Sequence, residues 1–187
     1  MSETANHKAA PGEDSDDGVA TITKTSVTII QQLECCLRGL SNDQYTFCPE
    51  GQTSTIGQHV RHVAEFYQAF LDSAETGEGC DLCYDDRQRS TLLQSSKDVV
   101  IHELKSIRQR LTILSHTSRT LKLWSIIEPS KPMIGTETNL AREAIYLLDH
   151  MIHHMALIKM IARDQGIILD RCFGRAQSTI AHEDLAY

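Results

Sequence analysis

The chain of 187 residues is predicted to be all-α, a four-helix bundle with long inter-helix connections. Three observations predict it. Apolar residues recur at helical spacing in four long segments. Stretches rich in Gly, Pro, Ser, Asn and Asp separate those segments. The composition, 41% hydrophobic and 23% charged, is that of an ordinary globular domain with one core, and the length suits one domain with a tail.

Residues 1–18 are polar and acidic, with Pro11, Gly12 and Gly18, and read as a disordered tail. The domain is expected over 19–187. Ile22, Ile29, Ile30, Leu33, Leu37 and Leu40 give a first helix from about Thr21, although β-branched residues weaken its start. Residues 41–54 read as a loop. A second helix starts at Thr55, where Thr55 and Gln58 form a capping box. Val63, Phe66, Tyr67, Phe70 and Leu71 supply its stripe, and it ends before Gly77. Residues 77–90 read as a polar loop. The third helix spans about Ser96 to Leu114. From Arg119 to Glu137 the period breaks into a short extended excursion or hairpin. The fourth helix runs from about Thr138 to Asp164 and stops before Gly166. An irregular tail follows.

Charge and composition exclude several roles. A net charge of −7 and 5% aromatics argue against nucleic-acid partners, since an acidic surface repels phosphates. No apolar run approaches the roughly 20 residues that cross a bilayer, and the N-terminus lacks the apolar core of a secretory signal. A cytoplasmic protein without membrane or nucleic-acid partners is expected. The six cysteines are then free thiols, with the adjacent Cys35 and Cys36 read as small buried side chains. No phosphate-binding glycine loop and no nucleophile elbow occurs.

The histidines carry the chemistry. Of nine, five stand in two clusters, His59 with His62 and His150 with His153 and His154. Residues i and i+4 project about 40° apart on a helix, so His150 and His154 share a face. This is the spacing with which two imidazoles bind one metal ion. His153 lies on the other side of His150 and is less well placed. Two half-buried imidazoles hydrogen-bonded to neighbours are the plain alternative. A histidine from a facing helix would complete three imidazoles and leave a position open. Periodicity puts His59 nearer the centre of the second helix's stripe than His62. Glu143 is the nearest carboxylate on the metal face, placed to orient an imidazole or take a proton.

Four stretches carry a family resemblance: Thr55–Tyr67 (TIGQHVRHVAEFY), Tyr84–Arg89 (YDDRQR), His150–Ile158 (HMIHHMALI) and Phe173–Thr179 (FGRAQST). They resemble the DinB-like metal-binding four-helix bundles, which include bacillithiol-type thiol transferases and the N-terminal domain of sulfoxide synthases. The resemblance covers roughly residues 27–187. It implies a divalent ion, zinc or nickel, on His62, His150 and His154, because the family's ligand precedes the Phe66–Tyr67 pair by four residues. His59 and His153 stay as alternates. It also implies a homodimer.

The activity implied is the joining of a low-molecular-weight thiol to a small electrophile. Arg61, Arg87 and Arg89 are candidate contacts for the carboxylates of the thiol cofactor. Tyr84, in the same matched stretch as Arg87 and Arg89, is a further candidate or a pin for the loop. Two other readings are a metal-binding stress-response protein without turnover, and a metal-dependent hydrolase of a small amide or ester with Glu143 as base. Cys80 and Cys83 form a CxxC whose acidic neighbours disfavour a redox thiolate, and no second pair completes a zinc knuckle.

Overall fold

The computed structural model describes residues 17–76, 81–114 and 119–184. Four long helices form the bundle: α1 (Asp17–Arg38), α3 (Ile56–Glu75), α5 (Lys97–Ile113) and α6 (Leu140–Asp164). Each packs against two neighbours, in the cyclic order α1, α6, α3, α5. Their inward stripes meet in one core. Ile30, Leu33, Leu37, Val60, Phe70, Val100, Leu104, Ile107, Met151 and Ile158 are all fully buried.

Several connections are more regular than the sequence reading expects. The first helix begins at Asp17, so the last two residues of the expected tail are helical, while residues 1–16 lie outside the described residues. Its β-branched start is accommodated because the hydroxyls of Thr23, Thr25 and Thr28 each donate to a carbonyl one turn back. Residues 41–54 contain the short helix α2 (Asn42–Thr46), opened by a second capping box between Ser41 and Gln44. Another short helix, α4 (Thr91–Ser95), precedes α5. The Tyr45 hydroxyl donates to the Leu93 carbonyl at 2.6 Å and ties α2 to α4. Gly57 is required here, since a Cβ would run into the Gln94 carbonyl.

The excursion before α6 is a hairpin. β2 (Thr120–Ser125) pairs antiparallel with β3 (Ile134–Asn139), with Leu123 opposite Thr136. β1 (Asp81–Cys83), inside the expected polar loop, adds in parallel to β2 with Leu82 opposite Leu123. The strand holds to Asn139, so α6 starts two residues later than expected, with Asn139 Oδ1 accepting from the Arg142 amide. At the far end of α6, Gly166 has φ +74, and the Ile167 amide donates to the Ala162 carbonyl, a glycine-terminated cap.

The C-terminal segment is not irregular throughout. It ends in α7 (Gln177–Asp184), and before that it is fastened to α6. Lys159 Nζ donates to the carbonyls of Asp170, Arg171 and Phe173, and Phe173 is buried. Gly174, at φ +70, lies so close to α6 that a Cβ would fall 2.5 Å from the Ala156 nitrogen. The matched stretch Phe173–Thr179 therefore begins as a clamp on the turn of α6 that follows His154.

Candidate metal centre

α3 and α6 run antiparallel, and their histidines meet in register. His62 Nε2 stands 3.0 Å from His150 Nε2, and His59 Nδ1 stands 2.9 Å from His154 Nδ1. Three residues along α3 thus face four along α6, a rise of roughly 4.5 Å against 6 Å. Among the described residues, His62, His150 and His154 form a group of three ligand atoms that all lie within 4.8 Å of one another.

The donors fit a divalent ion. Metal–nitrogen bonds of roughly 2.0–2.1 Å put neighbouring ligand nitrogens about 2.8–3.4 Å apart, from right-angled to tetrahedral geometry, a range that includes the His62–His150 separation. The imidazoles are also held in the binding form. Burial, then repulsion from Arg87 and His150, lowers the His62 pKa from 6.5 to about 3. Burial, then His153 and Arg87, takes His150 to about 4. Burial, then His150 and His62, takes His154 to about 3. His59 shifts the same way, through burial and then His153. All are neutral at pH 7, with a lone pair to give.

An aromatic wall packs His62 and His150. Phe66 lies 4.3 Å from the His62 ring centroid and 4.7 Å from that of His150. Tyr146 stacks on His150 at 5.4 Å, one turn before it on α6. Tyr84 stacks on Phe66 at 4.8 Å, nearly parallel. Phe66, Tyr84 and Tyr146 also border a cavity of about 330 Å³ with Leu123, Arg142 and Glu143. His62 and His150 therefore share Phe66 and Tyr146 with this cavity.

The remaining sequence candidates are placed as follows. Glu143 is 2% exposed, and both its oxygens are engaged. The Tyr84 hydroxyl donates to Oε2 at 3.0 Å and the Thr138 hydroxyl to Oε1 at 2.7 Å. Arg61 and Arg87 converge on Glu65, their Nε atoms 3.7 Å and 3.4 Å from its Oε2. Arg61 also donates to Gln94, and Arg87 donates to the Tyr84 carbonyl and lies over the Phe66 ring. Arg89 is exposed in the left-handed region, at φ 51. His153 and His102 are exposed; His116 lies outside the described residues. Cys83 touches Met133, sulfur to sulfur at 3.9 Å, and Cys80 lies outside the described residues. Cys35, Cys36, Cys48, Cys83 and Cys172 are free thiols, but Cys35 is exposed and Cys36 half-buried. The expectation of small buried side chains fails for Cys35, whereas Cys36 packs half-buried against the core and burial raises its thiol pKa to about 11.

Glu65 was not singled out from the sequence. It is 3% exposed, and its Oε1 accepts the Ser90 amide at 2.6 Å. The i, i+4 spacing of Arg61 and Glu65 was the available signal. Tyr146 was missed too, although its i, i+4 spacing from His150 places it on the same face.

No helix among the described residues is long and apolar enough to cross a membrane. Residues 28–158 match the family model of the DinB superfamily, a span that includes His62, His150 and His154. No curated protein matches the chain. The extent of that family match, over a bundle that gathers histidines from α3 and α6, identifies the chain as a member of the DinB superfamily.

Proposed function

We propose that this protein is a metal-dependent transferase that joins a low-molecular-weight thiol to a small electrophile. The observation that carries the proposal is the trio of neutral imidazoles on two facing helices, beside a cavity with aromatic walls. A divalent ion, zinc or nickel, would supply Lewis acidity there and lower the pKa of a bound thiol or water. His62, His150 and His154 would hold it as neutral donors. No carboxylate belongs to the donor group, so these donors would leave the ion's charge unneutralised. Phe66 packs on the rings of His62 and His150 and Tyr146 on that of His150, which holds both rings in place. Glu143 fixes Tyr84 at the cavity wall. With Arg61 and Arg87 committed to Glu65, Arg142 is the guanidinium at the cavity that is free to meet a substrate carboxylate, its nearest anion being Glu143 at 3.9 Å. In the transfer the thiol releases its proton to solvent, its sulfur bonds to the electrophilic carbon, and the leaving group departs with the bonding pair. The cavity's part is to hold the two reactants together.

The competing reading, an ion that only fastens α3 to α6, has one observation on its side. His59 stands beside His154, where a fourth ligand would close the site. Hydrolysis is disfavoured because both oxygens of Glu143 already accept hydrogen bonds. The test is thiol consumption with 1-chloro-2,4-dinitrobenzene, using cysteine, glutathione and bacillithiol in turn. Metal-loaded protein is expected to accelerate conjugation with at least one thiol over chelator-treated protein. Equal rates with all three, at full metal loading, would overturn the transferase reading in favour of the non-catalytic one.

A further inference from the structure

We infer that His59 is a positioning residue for the metal centre, whose Nδ1 accepts the Nδ1–H of His154 and so leaves His154 Nε2 bare as the donor. The inference rests on the metal-centre reading and deepens it. A neutral imidazole carries its proton on one nitrogen and a lone pair on the other. Two Nδ1 atoms at 2.9 Å therefore share a single proton, and the contact has two polarities. If His59 donated, the His154 proton would sit on Nε2 and the third ligand would be lost. If His154 donates, Nε2 is free, and the proton of His59 sits on its own Nε2. Only the second polarity leaves His154 a bare Nε2 to join the Nε2 atoms of His62 and His150, which stand 3.0 Å apart and are bare in the ion-bound centre on which this inference rests.

The placement of His59 is suited to this role. It lies in the first turn of α3, its amide donating to the Thr55 carbonyl at 3.3 Å. The capping box fixes that turn, with Thr55 and Gln58 exchanging bonds of 2.9 Å and 3.0 Å, and Gly57 seats it against α4. The Gly174 clamp holds the opposite partner, gripping α6 at Met155 and Ala156. Among the described residues, His154 alone of the three has a side-chain hydrogen-bond partner on Nδ1, which leaves its Nε2 as the nitrogen to join His62 and His150. Metal-bound histidines are commonly oriented by such a partner, and losing it typically costs about 10–100-fold in affinity.

The test is zinc affinity, by competition with a chelator, in His59→Asn and His59→Leu. Asn keeps an acceptor oxygen near the place of Nδ1; Leu keeps bulk but no acceptor. The Leu variant is expected to bind zinc about 10–100-fold more weakly, and the Asn variant to keep the parent's affinity. Nitrogen-15 NMR of the zinc-loaded parent should show His154 protonated on Nδ1. Equal weakening in both variants, or none in Leu, would overturn the inference. So would a change in coordination number in the cobalt-substituted Leu variant, which would make His59 a ligand. A parent that binds no zinc would instead overturn the metal-centre reading beneath it.

Discussion

Replacing Glu65 with Leu is expected to lower folding stability by about 3–5 kcal/mol, the cost of leaving buried charges without their counter-ion. Two guanidiniums depend on this carboxylate. The Arg61 and Arg87 side chains are 17% and 14% exposed, and Glu65 itself is 3% exposed. Without it they keep only Gln94 and the Tyr84 carbonyl as acceptors, and the Ser90 amide loses its partner. Burial already pulls the Arg87 guanidinium below its ordinary pKa, with Glu65 pulling the other way. The damage should reach the site, because Arg87 lies over Phe66 and Phe66 packs on His62 and His150. Glu65→Gln, which keeps an acceptor for Ser90, should lose clearly less. Urea denaturation reads both. A Leu variant within about 1 kcal/mol of the parent, the range of an exposed ion pair, would mean that Glu65 does not pin residues 84–90 to α3.

The metal-free protein should lose stability as pH falls from about 6.5 towards 4, more steeply than a His62→Gln/His150→Gln/His154→Gln variant. In the folded chain these groups titrate at about 3, 4 and 3, against an ordinary value near 6.5. Between those limits the unfolded chain binds protons that the folded chain refuses, so stability rises with pH. The contribution is complete above pH 6.5 and is lost progressively through the folded values. Carboxylates titrate in both proteins, so the difference between the two curves isolates the histidines. Denaturation of chelator-treated protein at pH 7 and pH 5 measures it. Parallel curves would show that the imidazoles are as well solvated folded as unfolded, and the burial argument would fail.

The long helices and the α6 histidine pair were legible because each depends on local spacing. The Thr55 capping box and the Gly166 stop were legible for the same reason. The capping box at Ser41 had the same signature, but five residues of helix give no periodicity to confirm it. β1 is three residues long and owes its strand to β2, which lies almost forty residues further on, so no local pattern reports it. Periodicity alone favoured His59, and the family resemblance favoured His62. Both reach α6, because antiparallel helices present successive turns to each other and the apolar stripe says nothing about which imidazole shares the trio. Glu65 was hidden for a related reason. Residues 63–67 are all buried, a width no single stripe produces, because the segment after β1 covers a second flank of α3. The Arg61 and Arg87 candidates went to that flank, and a carboxylate elsewhere on the same helix was waiting for them.

The central claim is that His62, His150 and His154 hold one divalent ion. Elemental analysis of protein purified without an affinity tag, beside a His150→Ala/His154→Ala variant, tests it most directly. The expected result is close to one equivalent of zinc or nickel in the parent and only background in the variant, with helical circular dichroism retained in both. No ion in the parent, or equal amounts in both proteins, would contradict it and would leave the clustered imidazoles as packing groups or the ion as one held by the free cysteines.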